Sequence, residues 1–173
     1  MATLPTSNRS RRQAKSPDRP RAHDVDAIVQ GLRRVVKALE AYSREVELTF
    51  GVTGPQLWAL KTLERSGPLP VTRLAEELAV HQTSASLLVS RLEHRGLLRR
   101  ERSGQDRRVV LLSLTLRGKA IASRAPEAAQ GRLMHGLLAM PGRDVRRIRS
   151  AVDQIVAAME VEDIEATFFF AGE

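Results

Sequence analysis

A mostly α-helical protein with a small β-wing, flanked at both ends by helices suited to dimerisation, is the fold class this sequence predicts. Three observations predict it. Apolar residues recur three and four apart over most of the chain, which is the helical period. Between Leu97 and Leu114 the period gives way to two short runs around Ser103-Gly104-Gln105-Asp106-Arg107, a hairpin with a glycine-containing tip. Just before the hairpin stand two short helical segments joined by a tight turn, and helix, turn, helix and hairpin in that order make a winged helix-turn-helix.

In chain order, residues 1–22 hold Pro5, Pro17 and Pro20, several serines and almost no apolar residue, and are expected to be a disordered basic tail. It reads equally as a DNA-attracting arm or as a dispensable end. From Asp24 to about Val46, Val25, Ile28, Val29, Leu32, Val35, Val36, Leu39 and Tyr42 form a long narrow stripe. Such a seam is more than a small domain needs on one side, so residues 23–52 are assigned to a dimerisation helix closed by Gly51. Thr53 and Pro55 open the next helix, which runs through Trp58 to Gly67. Trp58, the single tryptophan, reads first as a core residue and second as an effector contact.

Pro68 to Val71 should be extended, with Val71 as a third short strand beside the wing. The first helix of the helix-turn-helix is expected to be capped by Thr72, with Glu76 and Glu77 near its positive end and Leu74, Ala75 and Leu78 on its apolar face. The second opens near His81 and Gln82, buries Ala85, Leu88, Val89 and Leu92, and ends at Gly96. Thr115 caps a further helix that Pro126 and Gly131 should interrupt. Pro141 and Gly142 start the last one, whose Val145, Ile148, Val152, Ile155 and Met159 make a second seam. Residues 53–115 are therefore the winged DNA-binding region, 116–160 the C-terminal dimerisation helices, and 161–173 an acidic tail ending in Phe168-Phe169-Phe170. Those rings read as the cover of a groove or pocket, or as part of a disordered end.

The formal net charge is +8, and its distribution decides what it means. Residues 1–22 carry +5 and residues 160–173 carry −5, so the body between them is itself basic and suited to nucleic acid. Arginine supplies nearly all the basic residues, a bias that reflects a GC-rich genome at least as well as function. No apolar run approaches a membrane span, and a cytoplasmic address is the default expectation. There is no cysteine, which excludes disulfides and thiolate metal sites.

The outward face of the second helix carries Gln82, Thr83, Ser84, Ser86, Leu87, Ser90, Arg91 and His94. A solvated helix face is usually rich in Glu and Lys, which favour helix and pair at i, i+4. Serine and threonine do not, and their short side chains let a helix approach base edges and phosphates in a major groove. Gln82, Thr83, Ser84 and Ser86 are the base-edge and phosphate candidates, and Leu87 could pack on a thymine methyl. A merely neutral surface helix is the competing reading. In the hairpin tip, Arg107 and Arg108 suit the negative potential of a minor groove. Asp106 would be repelled there unless it orients the wing, by pairing with Arg91 or Arg108. Arg91 is then a phosphate contact or the anchor of the wing.

L-A-E-E-L, the Q-T-S-A-S helix, R-L-E-H-R-G-L-L-R-R, D-R-R and S-L-T-L-R-G-K, in this order and spacing, resemble the MarR family of transcriptional regulators. The resemblance runs from about Asp24 to Glu160. It implies an obligate homodimer on double-stranded DNA, one helix in the major groove, a wing arginine in the minor groove, and often release by a small anionic or phenolic ligand. In related proteins the helix holding Trp58 helps to wall the ligand pocket. The absence of cysteine excludes the thiol-based peroxide sensing of some members. Leu87 and Ser90 depart from the family pattern, where polar or charged residues are usual.

No convergent catalytic set, glycine-rich phosphate loop or histidine pair at i, i+4 spacing stands out, so no enzyme activity, cofactor or metal is expected. The expected function is a homodimeric repressor on a pseudo-palindromic operator. A transcriptional activator of the same fold, or a winged-helix module that binds protein, are the alternatives.

Overall fold

The computed structural model describes residues 19–104, 106, 108–164 and 168. Those residues belong to two units divided after Val35. The first unit is the N-terminal part of a long helix, α1 (Arg19–Phe50). Its Val25, Ile28, Val29, Leu32 and Val35 are all exposed in the single chain. Residues 19–22, expected in the tail, are helical instead. Helix interiors tolerate proline in the first turn, where its missing N–H has no partner to lose, and Pro20 is the second residue of this one. The rest of the basic tail lies outside the described residues.

In the second unit α1 turns Leu39 and Val46 inward and ends at Gly51, whose φ of +65° suits a residue without a side chain. Helix α2 (Gly54–Ser66) begins with a capping box. The Thr53 hydroxyl accepts the Gln56 N–H at 3.4 Å, and Gln56 Oε1 accepts the Thr53 N–H at 3.2 Å. Helix α2 is the centre of the core, with Leu57, Ala59, Leu60 and Leu63 buried.

Helix α3 (Val71–Glu77) has Pro70, not Thr72, at its N-cap, and no side chain caps it. Pro70 already holds an extended conformation and its carbonyl accepts from Leu74, so the helix starts before Thr72. Glu76 and Glu77 consequently fall in the last turn, not near the positive end. The extra strand contact is made by Leu69 rather than Val71, through paired backbone bonds with Leu112. Val71 is taken up by the helix that Pro70 begins.

Helix α4 (Gln82–His94) follows His81, and Ala85, Leu88, Val89 and Leu92 are buried as the spacing predicted. Gly96, at φ +66°, closes it. Strands β1 (Leu98–Arg102) and β2 (Val110–Leu114) pair antiparallel, from Leu98 opposite Leu114 to Arg102 opposite Val110. The base of the hairpin is anchored by buried Leu98, Leu112 and Leu114, while its tip stands clear.

Helix α5 (Leu116–Arg124) is capped by Thr115, as its sequence indicated. Gly118 faces the Leu97 carbonyl, and a Cβ there would lie 1.9 Å from that oxygen, so the close approach of α5 to the wing requires glycine. Pro126 separates α5 from α6 (Ala129–Leu138), but Gly131 lies inside α6 and does not interrupt it. Its lack of a side chain leaves room for the Glu127 carboxylate, which folds back beside it. Helix α7 (Gly142–Ala158) buries no residue in the single chain.

Phe168 returns to the core and stands edge-on to Trp58, with ring centroids 6.4 Å apart and planes at 81°. Phe169 and Phe170 lie outside the described residues. Among the described residues no helix is long and apolar enough to cross a membrane.

Candidate nucleic-acid interface

Burying the apolar stripe of α4 forces its other face outward. Gln82, Thr83, Leu87, Ser90, Arg91 and His94 are exposed, and Ser84 and Ser86 are half-buried along the flanks. The helix thus presents short polar groups around one bare leucine, Leu87, at 56% exposure. Ser90 uses its donor inside the helix, bonding to the Ser86 carbonyl at 3.0 Å. That bond satisfies the hydroxyl locally, in the way mid-helix serines commonly do.

The wing tip is organised by Asp106. Its Oδ1 accepts the Arg108 backbone N–H at 2.9 Å, and its carbonyl accepts the Val109 N–H at 3.0 Å. Ser103 N–H donates to the Val109 carbonyl at 2.9 Å and closes the loop. This bond runs to the backbone amide of Arg108 and is a different contact from the expected pairing of Asp106 with an arginine side chain. A short acidic side chain two residues before an amide bonds it locally and shapes the turn. Arg108 is exposed, and Gln105 and Arg107 lie outside the described residues.

Two arginines that sequence spacing did not single out hold this assembly together. Arg100 on β1 places Nε 3.1 Å from the Glu93 carboxylate, and its Nη2 donates to Ser90 Oγ at 3.4 Å. It ties the wing to the flank of α4. Arg99 and Glu101, on the opposite face of the strand, pair with each other at 2.8 Å. Strand alternation separates these two faces, and it was the available signal. Arg95, which caps α4, reaches back to Gln56 Oε1 at 2.7 Å and to the Gly51 carbonyl. Nothing local in the sequence pairs residues so far apart.

Trp58 is buried at 6% exposure and covered by Phe168, and the guanidinium of Arg132 lies 4.7 Å above the Tyr42 ring. Among the described residues no group of His, Asp and Glu is arranged to hold a metal ion.

The MarR family model matches residues 52–110, which run from α2 through β1 to the start of β2. The organic hydroperoxide resistance transcriptional regulator of Bacillus subtilis is 33% identical over 121 residues, 66% of this chain and 81% of its own. The HTH-type transcriptional repressor MdtR of the same organism is 35% identical over 95 residues, 55% of this chain and 59% of that repressor's length. Solved structures share the fold. A MarR family protein from Bacillus stearothermophilus superposes with a TM-score of 0.51 at 24% identity, covering 80% of this chain and 97% of that one. Reduced AbfR bound to DNA superposes at 0.53 with 18% identity, covering 82% and 97%.

An exposed helix of short polar residues beside an arginine-tipped hairpin, on this architecture, defines a winged-helix DNA-binding regulator of transcription. The chain belongs to the MarR family, whose members are transcription factors and not enzymes.

Proposed function

We propose that the protein is a homodimeric repressor that occupies a pseudo-palindromic operator. The observation that carries this reading is α7, which with its C-cap Met159 places Ile148, Val152 and Met159 on one side yet buries nothing in the single chain. The exposed stripe from Val25 to Val35 on α1 supports it, since unpartnered apolar faces of this length call for a second copy. Two-fold symmetry then requires two half-sites about one helical turn, roughly 34 Å, apart.

On each half-site Gln82, Thr83, Ser84 and Ser86 serve base edges and phosphates in the major groove, and Leu87 packs on a thymine methyl. Arg91 meets a phosphate, Arg108 and Arg107 enter the minor groove, and Asp106 orients the tip that carries them. Residues 23–52 and 116–160 form the dimer, residues 53–115 read DNA, and the cell's cytoplasm is where that DNA lies. A small anionic or phenolic effector completes the reading. For Trp58 to touch it, Phe168 must first leave the Trp58 ring, so burial favours a core role for this tryptophan.

The test is fluorescence anisotropy on a duplex recovered by the protein from a random pool, across a salt series, with mass by sedimentation. A dimer whose log affinity falls steeply with log salt is the expected result. A monomer overturns the homodimer. Weak, salt-insensitive association turns the assignment toward a winged-helix module that binds protein. Raised promoter output would mark an activator of the same fold.

A further inference from the structure

Around Arg95, hydrogen bonds link α4 to the ends of α1 and α2 and to the start of α5. Arg95 Nη1 donates to Gln56 Oε1 at 2.7 Å, the same oxygen that accepts the Thr53 N–H in the capping box of α2. Its Nη2 donates to the Gly51 carbonyl, at the residue that closes α1. On the other side, the Arg95 carbonyl accepts from Arg117 Nη1 at 3.5 Å, and the neighbouring Gly96 carbonyl accepts from the Thr115 hydroxyl at 2.8 Å. The C-terminal end of α4 is thus held to α1 and α2 by a side chain and to α5 by its own backbone. A cleft of about 560 Å³, walled by Glu47, Thr53, Gln56, Arg91, His94 and Arg95, opens beside this joint. Hydrogen bonds across this joint therefore add to the packing of Leu88, Val89 and Leu92 in holding α4.

We propose that Arg95 is a positioning residue for DNA recognition. It pins the end of the recognition helix to the α1–α2 corner, and so sets the separation and angle of the two recognition helices in the dimer. This rests on the homodimeric reading above. A planar guanidinium can bond two acceptors in fixed directions at once, which makes it a stiff connector, whereas a single ammonium is a point contact. The two acceptors belong to the corner that follows the long helix α1, and the donor belongs to α4. Any change in the angle between α4 and that corner must break or bend both bonds. Cutting the link leaves each half-site contact intact and loosens only the distance between them.

Binding of wild type and Arg95→Ala is compared on the pool-selected duplex and on versions with two base pairs inserted or removed at its centre. Each change moves one half-site by roughly 7 Å and 70°. Wild type is expected to lose at least about tenfold in affinity on the altered spacings, while Arg95→Ala loses less than about threefold. Its salt slope should equal that of wild type, because Arg95 neutralises no phosphate.

A spacing penalty in Arg95→Ala as large as in wild type overturns the inference. So does a salt slope lower by about one, which would make Arg95 a phosphate contact. A wild type indifferent to spacing fails the homodimer-on-palindrome reading itself and takes the inference with it. Should Arg95→Ala not fold, Arg95→Lys carries the test, with a penalty expected between about threefold and about tenfold and the inference overturned if it matches wild type. Gln56→Glu keeps an acceptor for both Thr53 and Arg95 and should retain the full penalty, and relaxed spacing in that variant also counts against the link.

Discussion

The Arg100 guanidinium lies 3.1 Å from the Glu93 carboxylate and joins the first wing strand to helix α4. Both side chains are a little over 40% exposed, so water and salt screen the pair and its contribution to stability is about 1 kcal/mol or less. Its consequence is in geometry. Glu93→Gln should leave thermal unfolding nearly unchanged and weaken DNA binding about three- to tenfold. If the pair orients the wing, Arg108→Ala should cost less in the Glu93→Gln background than in wild type, and strictly additive losses in a double-mutant cycle would refute that role.

Arg108 stands exposed at the tip that the Asp106 carboxylate shapes through the Arg108 backbone N–H. Arg108→Ala is expected to weaken specific binding by more than about tenfold and to lower the salt slope by about one. Anisotropy titrations at three or more salt concentrations read both. Asp106→Ala frees the turn without removing the arginine, so its loss should be smaller.

Leu87 is the bare apolar residue on the otherwise polar outward face of α4. It cannot hydrogen-bond, but it can pack on a C5-methyl group, so pool-selected duplexes should carry thymine near the centre of each half-site. Replacing that thymine by uracil should cost affinity in wild type and nothing in Leu87→Ala. Selection that tolerates all four bases at that position rules the contact out.

Phe168 is 8% exposed and packs on Trp58. Phe168→Ala removes a core ring and should destabilise the fold by about 3 kcal/mol, the lower end for such truncations. Trp58 is the only tryptophan, so its fluorescence reports the change directly. Its emission should shift to the red as water reaches the ring, and an unmoved spectrum with unchanged melting would show that Phe168 does not cover it.

Helix α7 exposes Ile148 at 38% and Val152 at 49%. If a second copy covers them, a charge placed there must be buried without a partner, at a cost of several kcal/mol. Val152→Glu should therefore sediment as a monomer and lose binding to the two-half-site duplex, while the isolated subunit stays folded by circular dichroism. A stable Val152→Glu dimer would move the interface elsewhere.

Much of this molecule was legible residue by residue, because its determinants act within one or two turns of chain. Thr53 with Pro55, Thr115 and Gly96 mark helix ends through local bonds or a local conformation, and the Ala85, Leu88, Val89, Leu92 stripe follows from helical period alone. Where local signals competed, the nearer constraint won. Pro70 began α3 before Thr72 could cap it, and Gly131 stayed helical because Pro126 had already made the break.

Sequence alone was enough for the order of elements and for the buried and outward faces of α4, since period and capping depend on neighbours along the chain. Only the tertiary structure decided that Arg95 grips Gln56 and Gly51, that Arg100 grips Glu93 and Ser90, and that Phe168 covers Trp58. Those partners are chosen by the angles at which packed elements meet, and such angles are set by the whole core at once, so no window of sequence contains them.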